Sequence, residues 1–218
     1  MRLVTFVCAA LTLAALPVYA QDPVKVAAST YKLIAENDRV RVLRATVAPG
    51  AKTVMHDHPA HVVVSLGAAN VKFTMAAGTT ADVVMKDGDV TLMPAGAHAG
   101  ANAGTGPVDV VIVEMKGAPG TGTLPTSRPG IKTTTVLDDP RVKAARASFE
   151  PAFHEAAGST HEYDVVVVAL APGDFSLTLD GKTTSSWKRG DVRLIGRGVP
   201  HEAHAGKVAG DVLLVWVK

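Results

Sequence analysis

The sequence predicts an all-β protein made of two similar domains in tandem, and three observations support this fold class. Short runs rich in β-branched residues recur along the 218-residue chain, separated by Gly, Pro, Asn and Asp. No window shows a convincing amphipathic helical period. An internal repeat also relates residues 39–45, 88–92 and 109–116 to residues 141–147, 190–194 and 211–218, each at an offset of 102. Three matches at one spacing indicate a tandem duplication.

Residues 1–20 have the pattern of a secretory signal peptide. Arg2 precedes an apolar core, and Val18-Tyr19-Ala20 ends it with a small residue. The apolar stretch is short for a membrane span and is broken by Pro17. We therefore expect a secreted or periplasmic protein with no membrane association after cleavage. Cleavage would remove Cys8, the only cysteine, so any metal ligand must be nitrogen or oxygen.

Charge and length limit the partners and the number of domains. The chain carries 22 basic and 20 acidic side chains without a basic run, which argues against nucleic acid and favours a small-molecule ligand. Its length allows one large β domain or two small ones, and the repeat favours two. We expect a first domain over residues 21–117, a linker rich in Gly, Pro and Thr over residues 118–136, and a second domain over residues 137–218.

Strand candidates follow in the same order in both halves, with the spacing of a β-sandwich or barrel. Residues 21–33 are compatible with an opening strand or an arm, and their role is not readable. In the first half the candidates are residues 71–75, 82–85, 90–93 and 108–115. In the second half they are residues 165–170, 175–179, 192–195 and 212–217.

A histidine-rich stretch precedes the first of the strongly β-branched runs. His56 and His58 would share one face of an extended segment, because successive side chains alternate, while Asp57 would face solvent. Pro59 then interrupts the strand, and His61 enters the next one in phase with Val63. A small turn could bring the three imidazoles to one point, and neutral imidazole suits first-row transition metals.

A second stretch supplies a fourth histidine. Pro94 and Gly96 predict a tight turn that places His98 by backbone geometry. Asn102, four residues further on, is better explained as a turn residue or a partner of a ligand than as a ligand itself.

Together the two stretches resemble the two signature motifs of the cupin superfamily, and the duplication resembles a bicupin. The resemblance covers residues 36–117 strongly and residues 137–218 more weakly. It implies two tandem cupin-type barrels of the double-stranded β-helix or jelly-roll kind, and it is compatible with a homodimer. It also implies a divalent metal held near the barrel mouth by two or three histidines and a carboxylate.

By position, the resemblance places His56, His58 and His98 on the family's three histidine ligands. His61 falls near the family's glutamate, with one residue fewer before it, so the expected ligand set is His56, His58, His61 and His98. Four neutral imidazoles leave an ion its full charge, which favours nitrogen-loving metals over manganese. Fe, Zn, Ni, Cu and Mn all stay open. The alternative is a cluster of polar histidines with no metal.

In the second half the same motifs resemble a degenerate site. Ser159 stands where the leading histidine would be, and Gly196 where proline is usual. The remaining candidates are His161, Asp164 and His201, which could form a two-histidine, one-carboxylate site. A barrel that has lost its metal is the reading we favour.

The other residues that stand out in the sequence are interpreted as follows. Glu114 lies in an apolar strand and could act as an acid or base in a pocket, or could be an edge residue paired with a lysine. Trp187 and Trp216 are most simply core residues. His154 and His204 lie outside the repeated ligand positions and are expected at the surface.

Three functions stay open at this point. The first is a metal-dependent enzyme acting on a small organic molecule, for which the resemblance allows dioxygenase, decarboxylase, lyase or isomerase chemistry. The second is a non-catalytic metal or small-ligand binding protein, which a closed four-histidine shell would suit. The third is an interaction module whose metal only stabilises the barrel. The substrate is not indicated, and we favour the enzyme.

Overall fold

A computed structural model describes residues 21–121, 123–125, 129–207 and 210–218. The expected signal peptide, residues 1–20, lies outside this range. A short helix, α1 (Pro23–Val26), opens the described part, capped by the Asp22 side chain, which accepts from the Val24 amide. No helix within the described ranges is long and apolar enough to cross a membrane.

Nine strands form the first barrel. They are β1 (Tyr31–Glu36), β2 (Val40–Val47), β3 (His56–His58), β4 (His61–Ser65), β5 (Ala69–Met75), β6 (Thr80–Met85), β7 (Val90–Met93), β8 (Gly96–Asn102) and β9 (Val108–Met115). One five-stranded antiparallel sheet has the order β1-β2-β9-β4-β7, and a four-stranded sheet has the order β3-β8-β5-β6. The second sheet carries three of the four expected ligand histidines.

The second barrel repeats this plan strand for strand. Its strands are β10 (Ile131–Asp138), β11 (Val142–Phe149), β12 (His154–Ser159), β13 (Asp164–Ala169), β14 (Ser176–Leu179), β15 (Lys182–Thr184), β16 (Val192–Ile195), β17 (His201–His204) and β18 (Asp211–Val217). The sheet orders are β10-β11-β18-β13-β16 and β12-β17-β14-β15. Every strand number is nine higher than its counterpart, which confirms the prediction of two tandem all-β jelly-roll barrels.

The two five-stranded sheets pack face to face and form a core between the barrels. On β9, Val111 and Val113 face this shared core, whereas Val110 and Ile112 face the interior of their own barrel. Strands β4, β13 and β18 are divided in the same way. Both faces of these strands are therefore buried, which explains why they appear in the sequence as continuous β-branched runs without polar alternation.

The contact between the barrels is reciprocal, as the duplication predicts. Arg44 donates to the carbonyl oxygen of Gly190 over 2.8 Å, and Arg146 donates to the carbonyl oxygen of Gly88 over 3.3 Å. Arg146 and Gly190 lie 102 positions after Arg44 and Gly88, so one contact is the image of the other. The barrels are thus related by an approximate twofold axis.

Strand β10 begins at Ile131, inside the stretch that we expected to be linker up to residue 136. It is an edge strand that pairs with β11, and most of its residues outside position 131 are exposed. Thr133, Thr134 and Thr135 supply the β-branched side chains of the strand without apolar alternation. A composition rich in threonine next to Gly and Pro therefore concealed a strand.

Candidate metal centre

Three of the expected ligands meet across one pair of strands. On β3, His56 is the direct neighbour of His98 on β8, and His58 lies opposite Gly96. All three histidines are buried, and their candidate ligand atoms lie within 4.8 Å of one another. The alternation of an extended segment thus puts His56 and His58 on the inner face, as predicted, and the register brings His98 to them.

His61 lies beside this group but is not part of it. It belongs to β4 in the opposite sheet, and its ring centroid is 4.7 Å from that of His58. Its side chain is buried and lines the cavity described below. The structure therefore brings together three of the four predicted ligands and places His61 as a fourth imidazole next to them.

Hydrogen bonds fix the orientation of these rings. The Nδ1 atom of His56 donates to the carbonyl oxygen of Val54 over 2.7 Å, and that of His61 donates to the carbonyl oxygen of Pro59 over 2.8 Å. A carbonyl oxygen can only accept, so Nδ1 carries the proton and Nε2 keeps its lone pair. Metal-binding histidines are held in this way, with the second ring nitrogen donating to an oxygen of the protein. The donor set therefore fits a transition metal.

Glu114 holds the third ring. Its Oε1 atom accepts from Nδ1 of His58 over 2.6 Å, and its Oε2 atom lies 3.5 Å from Nε of Arg41. Arg41 also donates to Asp22 over 2.6 Å. Burial raises the pKa of the Glu114 carboxyl, and the charges of Arg41 and His61 oppose that shift. Glu114 therefore orients a candidate ligand, and its cationic partner is an arginine rather than the lysine of the edge-residue alternative.

Tyr31 is a site residue that the sequence did not reveal. It begins β1, is buried, and its hydroxyl donates to Nε2 of His56 over 2.9 Å. This is the lone pair that an ion would take, so metal binding at His56 requires this hydrogen bond to break. Burial and the charge of Glu114 raise the pKa of the Tyr31 hydroxyl, so the phenol stays protonated and acts as a donor. The only sequence signal was an aromatic residue with a polar tip at the start of an unassigned segment, which is too common to be diagnostic.

A mostly apolar cavity of about 70 Å³ lies next to the histidines. Phe73 packs its edge against His98, with ring centroids 4.9 Å apart. A cavity of about 150 Å³ holds a benzene molecule, so the space beside His98 suits a ligand of only a few non-hydrogen atoms. The lining includes Tyr31, Val47, His58, His61, Val71, Phe73, Met85, Met93, His98, Val110 and Ile112.

Burial keeps these imidazoles neutral. Desolvation, followed by the charges of neighbouring histidines, lowers the pKa of His58 to about 3 and that of His98 to about 3. The same causes lower the pKa of His61 to about 4, and burial lowers the pKa of His56. Neutral imidazole is the form that binds metal, so the site is ready for an ion without first losing protons.

The metal-free protein should therefore lose stability as pH falls from about 6.5 to about 4. Below pH 6.5 the unfolded chain takes up protons on these histidines, while the folded protein does not, so the free energy of unfolding decreases. The raised pKa of Glu114 changes the stability in the opposite direction, but this effect comes from one carboxyl, whereas the loss comes from several imidazoles. Urea unfolding of chelator-treated protein at about pH 7 and about pH 4.5 tests this. Equal stability at the two pH values would contradict it, and His61→Gln should weaken the dependence.

The second barrel brings together a different set of candidate ligands from the one predicted. His161 and His201 come together, with ring centroids 4.5 Å apart, but their carboxylate neighbour is Glu155. Asp164 was wrongly placed in this group. Its side chain is buried and accepts from Arg39 over 2.7 Å and from Asn37 over 2.8 Å, both in the first barrel. Side chains alternate along β13, and Asp164 falls on the face turned to the other barrel.

The remaining candidates have structural positions. Asn102 donates to the carbonyl oxygens of Val47 and Gly106 and so holds the turn after β8, in agreement with the turn interpretation. Trp187 and Trp216 belong to the core of the second barrel. His154 and His204 stack on each other on its outer surface, with Glu202 within 2.7 Å of His204.

Comparisons with known proteins agree with this architecture. No protein-family model matches the sequence, and no curated protein matches it. Among solved structures, the chain is similar to a cupin 2 conserved barrel domain protein from Leptotrichia buccalis, with a TM-score of 0.58, 14% identity and coverage of 86% of this chain and 88% of that chain. It is similar to a salicylate 1,2-dioxygenase from Pseudaminobacter salicylatoxidans, with a TM-score of 0.62, 12% identity and coverage of 86% and 76%.

A third similar structure is the protein Ylba from E. coli, with a TM-score of 0.60, 14% identity and coverage of 86% of this chain and 82% of that chain. At such low identity the likeness concerns the fold. It extends over both halves of the chain, as the two sets of strands do. The chain therefore has the fold of these cupin structures, with two barrels in tandem.

Proposed function

We propose that the protein is an exported, metal-dependent enzyme that acts on a small organic molecule in its N-terminal barrel. The observation that carries the proposal is the convergence of His56, His58 and His98 at a mostly apolar cavity. These residues would hold one divalent transition metal, with His61 as a fourth imidazole beside it. Export rests on the signal-peptide pattern of residues 1–20.

The chain's own residues prepare the site in three ways. Hydrogen bonds from Nδ1 orient the rings of His56 and His61, and Glu114 orients that of His58. Burial keeps the imidazoles neutral, and the apolar lining limits the access of water to a bound molecule. A metal bound here would supply Lewis acidity and a place for an oxygen ligand.

Cavity size restricts the substrate class. The solved salicylate 1,2-dioxygenase structures include a complex with gentisate, an aromatic acid. The cavity of about 70 Å³ is roughly half the volume of one that holds benzene, so it suits a ligand smaller than an aromatic acid. We therefore propose a small aliphatic carboxylate or diketone as substrate, with dioxygenase-, decarboxylase- or lyase-like chemistry.

The experiment that tests the proposal measures turnover of the metal-loaded mature protein. Small carboxylates, diketones and phenols are offered one at a time, while oxygen consumption and product masses are recorded. We expect turnover of an aliphatic compound, its loss after chelation and its return with added metal. Absence of turnover with every compound and every first-row metal would contradict the proposal that the protein is an enzyme.

A non-catalytic metal or small-ligand binding protein is the second candidate, and the position of His61 favours it. Four imidazoles around one ion would close its coordination shell, and a closed shell is typical of structural sites. Azide added to the cobalt-substituted protein separates the two candidates. A change in the visible spectrum shows an open position and supports the enzyme, whereas an unchanged spectrum supports the binding protein.

A further inference from the structure

We infer that the C-terminal barrel holds a second divalent-cation site, formed by Glu155, His161 and His201, which stabilises this barrel and takes no part in turnover. The ligand atoms of these three side chains lie within 4.8 Å of one another. The inference is independent of the function proposed for the N-terminal barrel, since no residue is shared.

An irregularity in strand pairing puts Glu155 into the site. On β12, Ser159 pairs with His201 of β17, but Glu155 pairs with Ala203, so the two strands change register between these pairs. Four positions along β12 thus span two positions along β17, and the two extra residues bulge out and bring Glu155 close to His201. Because His201 and Ala203 are both buried on the inner face of β17, Glu155 reaches that face as the partner of Ala203.

The geometry suits an ion bound between the three side chains. One carboxylate oxygen of Glu155 lies 3.3 Å from Nε2 of His201, and the other lies 3.7 Å from Nε2 of His161. Two donors bound to one tetrahedral zinc ion at about 2.1 Å are roughly 3.4 Å apart. The distances from Glu155 to both imidazoles are therefore close to those of a coordination shell.

A hydrogen bond, ring stacking and burial hold the three candidate ligands in place. The Nδ1 atom of His201 donates to the carbonyl oxygen of Val199 over 3.1 Å, which leaves Nε2 directed at Glu155, as in the first barrel. His161 stacks on Tyr163, with ring planes 9° apart. The side chains of Glu155, His161 and His201 are only 12%, 7% and 0% exposed.

The space beside Glu155 explains why this site would be structural. The neighbouring cavity measures about 30 Å³, and its other lining residues are apolar. Such a volume admits one or two water molecules and no organic substrate. Phe149, Phe153 and Phe175 stack in the interior, where the first barrel keeps its open space. A cation would instead tie the bulged strand β12 to β17 and to the segment before β13, and so favour the folded state.

Zinc and cobalt binding to the mature full-length chain test the inference. We expect about two cobalt ions per chain in the unmodified protein and about one after Glu155→Gln or His201→Ala. Glu155→Gln preserves the size of the side chain, and circular dichroism confirms that each variant is folded. Glu150→Gln is the matched control, because it makes the same change at a partly exposed glutamate of the same barrel, one that pairs with Lys132. An unchanged cobalt content in folded Glu155→Gln protein would overturn the inference.

Thermal unfolding gives a second measurement in a chain that carries His98→Ala, so that the N-terminal centre cannot contribute. Zinc at about 100 times its Kd should raise the Tm by roughly 5 °C or more. The rise should vanish when Glu155→Gln is added and persist with Glu150→Gln. A rise that persists with Glu155→Gln, or one that Glu150→Gln removes, would overturn the inference. Failure of turnover in the N-terminal barrel would leave all these outcomes unaffected.

Discussion

Replacing His98 with alanine is expected to abolish metal binding by the N-terminal barrel. His98 is the only ligand of the group of three that β8 supplies, and it lies directly opposite His56. Two imidazoles from β3 would be left, and loss of a ligand should weaken binding by more than the roughly 10- to 100-fold that removal of a hydrogen-bonding partner of a ligand costs. Elemental analysis of protein carrying Glu155→Gln, so that only this centre counts, should fall from about one metal per chain to almost none.

Two variants near the same site serve as comparisons for the loss of metal in His98→Ala. Glu114→Gln removes the carboxylate that holds His58 but no ligand, so affinity should fall by about 10- to 100-fold while full loading stays attainable at high metal concentration. Asp57→Asn lies between His56 and His58 on the opposite face of β3 and should leave the affinity unchanged. Full metal retention in folded His98→Ala protein would contradict the ligand assignment.

Replacing Arg39 with methionine is expected to destabilise the whole chain by about 3 kcal/mol or more. Arg39 donates to both oxygens of Asp164, over 2.7 Å and 3.0 Å, across the boundary between the barrels. Asp164 is fully buried, and after the substitution its other contacts would be the Asn37 amide and the Arg197 backbone N–H. A buried carboxylate without a cationic partner is costly, since burial removes its hydration. Urea unfolding measures the change in the free energy of unfolding.

A double variant separates the effect of the unpaired charge from the effect of lost packing. If the unpaired charge is responsible, Asp164→Asn should restore part of the stability that Arg39→Met removes, because the neutral amide tolerates burial better. Asp38→Asn is the matched control, as Asp38 pairs with the same arginine but is 78% exposed, and it should change the stability by less than about 0.5 kcal/mol. A loss of that small size in Arg39→Met would show that the inter-barrel pair is dispensable.

The ligand histidines of the first barrel were predictable from the sequence because strand geometry is local. Alternation along an extended segment requires His56 and His58 to share a face, and a Pro-Gly turn places His98. The carbonyl partners of Nδ1 in His56 and His61 are also local, two residues back along the chain. The side-chain partners of the rings, Glu114 at Nδ1 of His58 and Tyr31 at Nε2 of His56, are not local. Glu114 is 56 residues from His58 and Tyr31 is 25 residues from His56, so only the pairing of distant strands reveals these partners.

In the second barrel, too, local sequence does not identify a candidate ligand whose position depends on strand pairing. Asp164 and Glu155 are both carboxylates within ten residues of His161, and the resemblance to the family motifs led to Asp164. The choice depends on which face each side chain occupies, and β13 is buried on both faces, so hydrophobic alternation gives no indication of direction. The pairing of β12 with β17, with two extra residues between Glu155 and Ser159, brings Glu155 close to His201.

The sequence by itself determined the duplication, the all-β class and the histidines of the N-terminal centre, since repeats and strand periodicity are written in consecutive residues. The tertiary structure decided the face-to-face packing of the barrels, the partners that orient the imidazoles and the carboxylate of the second cluster. These features depend on register and on the pairing of strands far apart in the chain, where a shift of one residue moves a side chain from one face of the sheet to the other.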